Sequence, residues 1–470
     1  MIMRVSGAEL RFGNALTLLS NGEETYADWL AAIDGARRWI HLENYIFRAD
    51  TIGRRFAEAL LERAAAGVRV RVIYDWWGSF DVSSGFWHRL RRGGIEVRVV
   101  HPLRLAEPLN LFARDHSKLL AVDGTYASIG GMGIADQWLE RSPLTGLPYR
   151  DTSVRVVGPA VADLERAFAG VWRSAGPDLP PDEQPPTHAI AATGDTAVRV
   201  IAQEPGRMRM LQTLQLVAAG VEQRLWLADA YFIGVPILRE ALIATARAGV
   251  DVRLLLPGTN DLRLVGALSR YGYRPLLEAG VRIWEYAGPM MHAKTLVADG
   301  WWGRVGSTNL NVTGLVTNWE IDLVAESPAF GAKLETVFEE DLANARELRV
   351  ARTARRATVR SVRPESAAER RTRRRTRDRR RRAGATALRV GGAVLQSIGD
   401  DQLLRHERSV TVALSATAIG TAALVAKFPR LLAWPVAALG GGGGMLALLR
   451  EWLAFRRQGA GRRSKARHEA

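Results

Sequence analysis

The chain repeats itself once, at a distance of about 180 residues, and this duplication constrains the fold more than any other feature. Trp39–Phe47 reads WIHLENYIF, and Leu225–Phe232 reads LWLADAYF. In each copy the apolar run is followed by a helical pattern, a glycine and a second β-rich run. Solenoid repeats are only about 20 to 50 residues long. The spacing therefore indicates two copies of a whole domain.

The order of elements inside each copy predicts an α/β fold. A glycine after a helical pattern and before a β-branched run is typical of a helix C-terminus. Such glycines are Gly67 and Gly94 in the first copy and Gly249 and Gly280 in the second. Strands that alternate with helices favour a largely parallel sheet. We expect two duplicated α/β domains related by a pseudo-two-fold axis, followed by a C-terminal helical hairpin.

Composition divides the chain into five segments. The proline-rich stretch Gly176–Pro186 predicts the linker between the two copies, because proline resists both helix and central strand. The predicted segments are a first domain at 1–180, a second domain at 187–350, an Arg-rich disordered linker at 351–385, an apolar hairpin at 386–458 and a basic tail at 459–470.

The positive charge is concentrated behind the duplicated region. The 470 residues include 65 Lys plus Arg and 49 Asp plus Glu, a formal charge of +16. Arg352–Arg382 alone contributes +12, and residues 1–351 carry about −3. Nucleic-acid-binding domains cluster Lys and Arg on their binding face, so we expect no nucleic-acid partner. The absence of cysteine excludes disulfides and a thiol nucleophile.

Two uncharged apolar stretches near the C-terminus predict a membrane hairpin. Val410–Ala426 has 17 residues and Leu431–Leu449 has 19, joined by Lys427–Arg430. As helices they would span about 26 and 28 Å, just short of a hydrocarbon core of about 30 Å. A soluble hairpin is the alternative, because Gly440–Gly444 weakens the second helix. Basic runs on both outer sides, and an N-terminus without a signal-peptide core, favour an inner-membrane location with the catalytic domains on the cytoplasmic side.

The sharpest chemical signal is a histidine–lysine motif that occurs once in each copy. In both copies Lys follows His by two residues, Asp by seven and Gly by 14. The chain has only five Lys against 60 Arg, which indicates that these positions need a compact point charge rather than a planar fork. In a strand, His and Lys at i and i+2 share one face. The motif residues are His116, Lys118, Asp123 and Gly130 in the first copy and His292, Lys294, Asp299 and Gly306 in the second.

Two imidazoles and two ammonium groups that meet across a pseudo-two-fold axis suit phosphodiester transfer. One neutral histidine can attack phosphorus and form a phosphohistidine. The other, protonated, can donate to the leaving alkoxide and then accept a proton from the incoming water or alcohol. The lysines would neutralise charge on the non-bridging oxygens. Since no carboxylate or histidine cluster has metal-ligand spacing, we expect neither a metal nor a cofactor.

The doubled pattern resembles the HxKxxxxD signature of the phospholipase D superfamily over roughly residues 10–345. Local segments are similar to bacterial cardiolipin synthases of that superfamily: Glu43–Phe47, Tyr74–Ser79, Arg114–Lys118 and Arg150–Val154. The resemblance implies a phosphatidyltransferase that joins two phosphatidylglycerol molecules into cardiolipin and releases glycerol, with phospholipid and membrane as its partners. The oligomeric state stays open, because one chain already contains a pseudo-dimer.

The resemblance also implies roles for the motif residues. His116 would be the nucleophile and His292 the general acid and base. Lys118 and Lys294 would bind the phosphate. The two motif aspartates would brace the motif rather than touch the substrate.

Further residues are implied in support of this site. A downstream carboxylate would orient each histidine through its second ring nitrogen, with Glu320 in the second half and Asp151 in the first. Ser307 and Asn309 would add hydrogen bonds to the phosphate. The first half departs from the pattern at Gly131, where serine is common, so backbone N–H groups would have to replace the missing side chain there.

Other interpretations remain open at this point. The same two histidines could serve a hydrolase acting on phospholipid or nucleic acid, and a membrane adaptor with inherited motifs is a non-catalytic alternative. Four tryptophans are interpreted either as an acyl-chain entrance or as core: Trp76, Trp77, Trp301 and Trp302. Asp75 is either a pocket residue or a strand-end turn residue, and His41 is interpreted as structural.

Overall fold

A computed structural model of the chain describes residues 2–102, 113–139, 147–351 and 358–362. Within these ranges the two copies form a single mixed sheet of 16 strands, with helices on both faces. The predicted α/β class is confirmed. The predicted segments 386–458 and 459–470, and almost all of 351–385, lie outside the described residues.

The first half begins with a short helix and ends with a helix that precedes the proline-rich linker. Its strands are β1 (Arg11–Ser20), β2 (Trp39–Asn44), β3 (Arg69–Asp75), β4 (Glu96–Val100), β5 (Lys118–Val122), β6 (Tyr126–Gly130) and β7 (Thr152–Val157). Its helices are α1 (Ile2–Ser6), α2 (Asn21–Asp34), α3 (Thr51–Ala65), α4 (Ser84–Arg92) and α5 (Val161–Ser174). Short 3-10 turns cover Asp136–Trp138, Pro181–Glu183 and Thr187–Ala189.

The second half repeats this order and adds two strands at its end. Its strands are β8 (Thr196–Gln203), β9 (Arg224–Ala228), β10 (Asp251–Pro257), β11 (Arg282–Tyr286), β12 (Thr295–Ala298), β13 (Trp302–Gly306), β14 (Glu320–Glu326), β15 (Ala345–Ala351) and β16 (Thr358–Val362). Its helices are α6 (Arg209–Gly220), α7 (Pro236–Arg247), α8 (Arg263–Tyr271), α9 (Tyr273–Glu278) and α10 (Pro328–Ala343). A π-helical turn covers Thr313–Thr317.

Local chemistry explains where several helices begin and end. Asp50, Ser83 and Ser327 stand directly before α3, α4 and α10, and each side chain accepts a hydrogen bond from an N–H three residues on. Such caps satisfy N–H groups that have no partner inside the helix. The glycines before β3 and β10, Gly67 and Gly249, have φ angles of +86° and +94°, which favour glycine.

The sheet order is β4-β3-β2-β5-β6-β7-β1-β8-β14-β13-β12-β9-β10-β11-β15-β16, and the halves join where β1 pairs antiparallel with β8. Parallel pairing occurs in β2–β3–β4 and in β9–β10–β11. The other pairs between described strands are antiparallel. The prediction of a largely parallel sheet was therefore wrong, because the later strands of each half are joined by hairpins rather than by crossover helices.

The hairpin that carries each histidine motif has a specific sequence signal. Asp123-Gly124 lies between β5 and β6, and Asp299-Gly300 lies between β12 and β13. All four residues have positive φ, from +49° to +76°, as a type I′ turn requires. An Asp-Gly pair between two apolar runs is a strong hairpin signal, so the antiparallel pairing was available in the sequence.

Three large apolar cores hold the sheet, and one of them is built from both halves in similar measure. Helices α2, α3 and α4 pack on one face of the first half, and α6, α7 and α9 pack on one face of the second. The third core combines residues of α5, such as Phe168 and Trp172, with residues of α10, such as Phe338 and Leu342. Because this core is continuous across the pseudo-two-fold axis, the halves form one body. No helix among the described residues is long and apolar enough to cross a bilayer.

His41 anchors the linker between the halves to this body. Its Nδ1 lies 2.5 Å from a carboxylate oxygen of Glu165 on α5, and its Nε2 lies 3.0 Å from one of Glu183 in the linker. Arg71 adds two hydrogen bonds to Glu183, at 2.6 and 2.9 Å. Burial by itself would lower the pKa of His41, but the two carboxylates outweigh it and raise that pKa. The imidazolium is thus the stabilising form.

We expect His41→Gln to destabilise the protein by about 3 kcal/mol at pH 6, because it removes the cation that pairs with the buried Glu165, whereas Glu183 keeps Arg71. The pKa of His41 is higher in the folded state than its unfolded value of about 6.5. The stabilisation is therefore complete below pH of about 6.5 and is lost as pH rises through the folded pKa. Urea unfolding of both proteins between pH 6 and 9 measures this, with the exposed His88→Gln as control. A difference independent of pH would contradict the charged assignment.

Candidate active site

Each histidine motif forms a backbone hydrogen bond with the opposite half of the molecule. His116 lies just before β5, and its N–H donates to the Trp319 carbonyl at 3.0 Å. His292 lies just before β12, and its N–H donates to the Arg150 carbonyl at 2.7 Å. Each motif therefore lies against the segment that leads into β14 or β7 of the other half. The motifs are extended, as predicted, although the histidines precede the strands rather than lie within them.

Each histidine is held by a carboxylate from the other half. The Nδ1 of His116 lies 3.0 Å from a Glu320 carboxylate oxygen, and the Nδ1 of His292 lies 2.7 Å from one of Asp151. The sequence predicted both acids but did not show that each would orient the histidine across the pseudo-two-fold axis. With Nδ1–H donating to the carboxylate, the Nε2 lone pair of each ring is left for chemistry.

The two lysines are fully buried beside the histidines. The Nζ of Lys118 donates to the His116 carbonyl and that of Lys294 to the His292 carbonyl, both at 2.5 Å. Lys294 Nζ also lies 3.2 Å from His292 Nε2. Burial lowers the pKa of Lys118 to about 7 and lowers that of Lys294 as well. An anion placed between the lysines would offset this burial and restore both charges.

Both active-site histidines are neutral in the free protein. Burial, together with the positive charge of Lys118 and Lys294, lowers the pKa of His116 well below its usual value. Burial and Lys294 lower the pKa of His292 to about 4. Each histidine is affected by lysines of both halves, which places the four groups around one common point. This is the geometry of a site for a single oxyanion.

The two orienting acids differ in charge. Burial would raise the pKa of Asp151, but His292 and Lys294 outweigh it and set that pKa at about 2. Burial instead dominates at Glu320 and raises its pKa to about 7, although Lys118 acts in the opposite direction. His292 therefore faces an ionised carboxylate at neutral pH, whereas His116 faces a carboxyl that is partly protonated.

Ser307 and Asn309 differ in their hydrogen bonding. The Ser307 hydroxyl donates to Glu320 at 2.5 Å and accepts from the Ile321 N–H at 2.9 Å, so it positions Glu320 rather than offering a free donor to phosphate. Asn309 is buried, and within the described part of the chain its Oδ1 has no hydrogen-bond partner.

In the first half, Asp151 and Trp138 occupy the space that side chains at positions 131 and 133 would need. A Cβ on Gly131 would lie 2.3 Å from Asp151 Oδ1, and a Cβ on Gly133 would lie 2.7 Å from the Trp138 ring. The Trp138 Nε1 donates to Asp151 Oδ2 at 3.0 Å, which is the contact that Ser307 makes to Glu320. The Gly131 N–H donates to the Thr152 carbonyl at 3.4 Å. Trp138 carried no signal in the sequence.

The motif aspartates brace the neighbouring strands, as expected from the sequence. The Asp123 carboxylate accepts three backbone N–H groups, at 2.7 to 2.8 Å, from the residues that begin β2. The Asp299 carboxylate accepts three at 2.7 to 2.9 Å from the residues that lead into β9. Both lie at the end of the hairpin strand that is remote from the histidine.

The remaining predicted pocket residues divide between core and surface. The Asp75 carboxylate caps its own turn by accepting the Trp77 and Gly78 N–H groups at 2.9 and 3.2 Å. Trp302 is buried in the core of the second half, and Trp301 lies exposed at the Asp-Gly turn, away from the site. The acyl-entrance interpretation is therefore wrong for these two, since only Trp76 and Trp77 adjoin the site.

Two buried histidines held by carboxylates from opposite halves, with two buried lysines between them, define a two-histidine phosphodiester-transfer enzyme of the phospholipase D class. The comparison with known sequences agrees. Residues 29–172 and 215–342 match the family profile described as "Cardiolipin synthase, PLD-like domain". The chain belongs to this cardiolipin synthase family of phospholipase D-like enzymes.

Curated relatives and a solved structure support this membership. A cardiolipin synthase of Geobacillus kaustophilus (strain HTA426) is 33% identical over 326 residues, which cover 68% of this chain and 64% of that protein. Cardiolipin synthase A of Pseudomonas syringae pv. syringae (strain B728a) is 33% identical over 72% of this chain and 70% of its own length. The crystal structure of phosphatidylserine synthase from Haemophilus influenzae Rd KW20 shares the fold, with a TM-score of 0.57, 15% identity, and coverage of 74% of this chain and 90% of that one.

We expect Trp138→Phe to lower kcat about tenfold, which corresponds to about 1.4 kcal/mol. The change keeps the ring but removes the hydrogen bond to the ionised Asp151, which orients His292. Hydrolysis of bis(p-nitrophenyl) phosphate measures the effect. Trp29→Phe is the matched control, because Trp29 is fully buried and its indole N–H has no partner within the described residues. Equal activity of the two variants would contradict the positioning role.

Binding of an oxyanion should raise the pKa of His292 from about 4 by at least about one pH unit. The added negative charge offsets the burial and the two lysine charges that lower this pKa. Nitrogen-detected NMR titration of the imidazoles, with and without tungstate, measures the change. The exposed His88 serves as internal reference. An unchanged pKa of His292 under saturating tungstate would mean that the two lysines do not bind an anion beside this histidine.

Proposed function

We propose that the protein transfers a phosphatidyl group from one phosphatidylglycerol to another, producing cardiolipin and glycerol. The observation that carries this proposal is the unequal pair of histidines. His292 faces the ionised Asp151, whose pKa is about 2, whereas His116 faces Glu320, whose pKa is about 7. An ionised partner favours the imidazolium, so His292 is the better proton carrier and His116 the better neutral nucleophile.

The first step forms a covalent intermediate. The donor phosphodiester binds between Lys118 and Lys294, and its negative charge raises the pKa of both lysines and of His292. The Nε2 of His116 attacks phosphorus, and the P–O bond to the headgroup glycerol breaks. His292 donates its proton to the departing alkoxide, which leaves as glycerol.

The second step reverses these roles. The glycerol hydroxyl of a second phosphatidylglycerol gives its proton to Nε2 of the now neutral His292. Its oxygen attacks phosphorus, the P–N bond to His116 breaks, and cardiolipin is released. A cavity of about 320 Å³ reaches the aromatic side chains next to His292 and would give the acceptor headgroup a place. Trp138 and Tyr149, whose rings lie 5.5 and 6.2 Å from the His292 ring, line this cavity.

Burial favours an alcohol over water as the acceptor. His116 and His292 are 8% and 4% exposed, and a site from which bulk water is excluded protects a reactive intermediate from hydrolysis. A hydrolase that releases phosphatidic acid is the second candidate, because the same residues would activate water. The net charge of about −3 over residues 1–351 argues against a nuclease.

We also propose that the protein is attached to the inner membrane with its catalytic body on the cytoplasmic side. The support is the sequence of the apolar stretches 410–426 and 431–449 and of the basic runs on both sides of them. A catalytic site for phospholipid needs access to a bilayer, and attachment through these stretches would supply it.

Lipid mass spectrometry tests the reaction. Purified full-length protein is incubated with phosphatidylglycerol vesicles, beside His116→Ala. We expect cardiolipin and glycerol from the wild type, and a loss of at least about 1000-fold in the variant because it lacks the nucleophile. Phosphatidic acid in place of cardiolipin would establish the hydrolase. No change in any phospholipid would refute both lipid reactions.

The role of each histidine can be tested by trapping the intermediate. His292→Ala lacks the general acid, so it needs a leaving group that departs without a proton, such as p-nitrophenolate. We expect a stoichiometric burst of p-nitrophenolate, followed by a stalled enzyme with its phosphoryl group on His116. Peptide mass spectrometry under alkaline conditions locates the modification. A trapped group on His292 in the His116→Ala protein would show that the two roles are reversed.

A further inference from the structure

Large hydrophobic side chains are exposed mainly at one place on the described surface. Among the described residues these side chains are Met3, Phe12, Trp77, Phe80, Leu147, Leu262, Leu268, Tyr271 and Trp301. Six of these nine come from three connections that adjoin the histidines. We call these six the apolar rim: Trp77, Phe80, Leu147, Leu262, Leu268 and Tyr271. Exposed apolar side chains that are grouped rather than scattered mark a surface for interaction.

The first part of the rim is the loop after β3. Trp77 and Phe80 are 49% and 66% exposed. Their loop is fixed to the wall of the active site, because the Ser79 hydroxyl donates to the Tyr45 carbonyl at 3.2 Å, and a Cβ on Gly78 would lie 2.0 Å from that same oxygen. The Tyr45 ring lies 4.9 Å from the His116 ring. The exposed rings therefore sit on a rigid support beside one of the two histidines.

The second part occupies the equivalent position in the other half. The loop after β10 carries Leu262, and α8 carries Leu268 and Tyr271, the last being 90% exposed. This loop is connected to the site through Asp261, which accepts a hydrogen bond from the Tyr231 hydroxyl at 2.8 Å. The Tyr231 ring lies 5.9 Å from the His292 ring. Since β3 and β10 are counterparts in the duplication, the rim flanks the site from both halves.

Leu147 completes the rim from a third direction. It is 49% exposed and lies two residues before Tyr149, whose ring is 6.2 Å from the His292 ring. It also lines the cavity of about 320 Å³, together with Trp138 and Tyr149.

We propose that the apolar rim docks the active site onto the interfacial layer of a lipid bilayer that contains anionic phospholipid. This inference rests on the proposed function and names the surface from which that site takes its substrate. A bilayer fits the rim because Trp and Tyr favour the boundary between headgroups and acyl chains. A protein seated on the rim would cover both histidines, whereas a bilayer seated there presents phosphodiesters to them.

The charges beside the rim fit the same partner. The Arg48 guanidinium lies 6.0 Å from the Phe80 ring and is partly exposed, and it also pairs with Asp81. Cations next to interfacial aromatic rings attract anionic headgroups. The rest of residues 1–351 is slightly acidic, so general electrostatic attraction would not orient the molecule. Inserted apolar side chains, with Arg48 beside them, would bring the active site, rather than another face, to the membrane.

The absence of cysteine in the chain allows a direct test. Phe80→Cys and Tyr271→Cys are labelled with the polarity-sensitive dye NBD in the full-length protein, and vesicles of phosphatidylglycerol and phosphatidylethanolamine are added. The matched controls are Phe12→Cys and Trp301→Cys, which are also exposed but lie away from the site. We expect a blue shift and a severalfold rise in emission at positions 80 and 271, and none at 12 and 301.

Two outcomes would overturn the docking surface. One is the same emission at all four positions with vesicles. The other is a blue shift at 80 and 271 that needs no vesicles and grows with protein concentration, which would show a second copy of the chain on the rim. This readout does not depend on turnover, so failure of the proposed reaction and failure of the docking surface are distinguishable.

A kinetic comparison adds a second measurement. The double variant Phe80→Ser and Tyr271→Ser should raise the apparent KM for phosphatidylglycerol in vesicles about tenfold and leave turnover of monomeric short-chain phosphatidylglycerol unchanged. The control pair is Phe12→Ser and Trp301→Ser. An equal loss on monomeric lipid would show that the rim residues act on the site itself, against the proposal. Activity on neither form of lipid would refute the proposed reaction.

Discussion

The hydrogen bonds between each histidine and a carboxylate of the opposite half are the contacts on which the rest of the site depends. His116 pairs with Glu320 and His292 with Asp151. Neither half can therefore complete its own catalytic group. The shared core of α5 and α10 and the β1–β8 junction hold the halves in register, and this register sets the orientation of both imidazoles. The duplication supplies two copies of the catalytic motif, and the junction between the halves brings the two copies into one site.

Duplication has not produced two equal halves. The second half uses Glu320 with Ser307, and the first half uses the shorter Asp151 with Gly131 and the indole of Trp138. Because Asp151 lies so close to position 131, a serine there would collide with the carboxylate that it should assist. The replacement also changes the charge of the pair, since the pKa of Asp151 is about 2 and that of Glu320 about 7. Under the proposed two-step transfer, one nucleophile and one proton carrier are needed, and unequal halves would provide them.

Burial of the lysines prepares the site for an anion. Lys118 and Lys294 have no exposed surface, and their pKa values are lowered by burial. In the free protein, the burial of two ammonium groups destabilises the folded state. A phosphodiester bound between them would offset this free-energy cost. Binding energy is thus tied to the charge of the phosphate. A bound anion would also raise the pKa of His292, which would let that imidazole carry a proton when a phosphodiester is present.

The amino-acid sequence by itself determined the duplication, the α/β class, the four motif residues His116, Lys118, His292 and Lys294, and the two acids, because a repeated chemical pattern is visible without coordinates. It also contained the Asp-Gly pairs that indicate antiparallel hairpins. The alternation of strand and helix patterns nevertheless led to the prediction of a largely parallel sheet. Only the tertiary structure decided which acid serves which histidine, that Ser307 holds Glu320, and that Trp138 replaces a side chain at position 131. These are contacts between residues far apart in the chain. Their partners depend on how the two halves are placed on one sheet, and no local pattern records that placement.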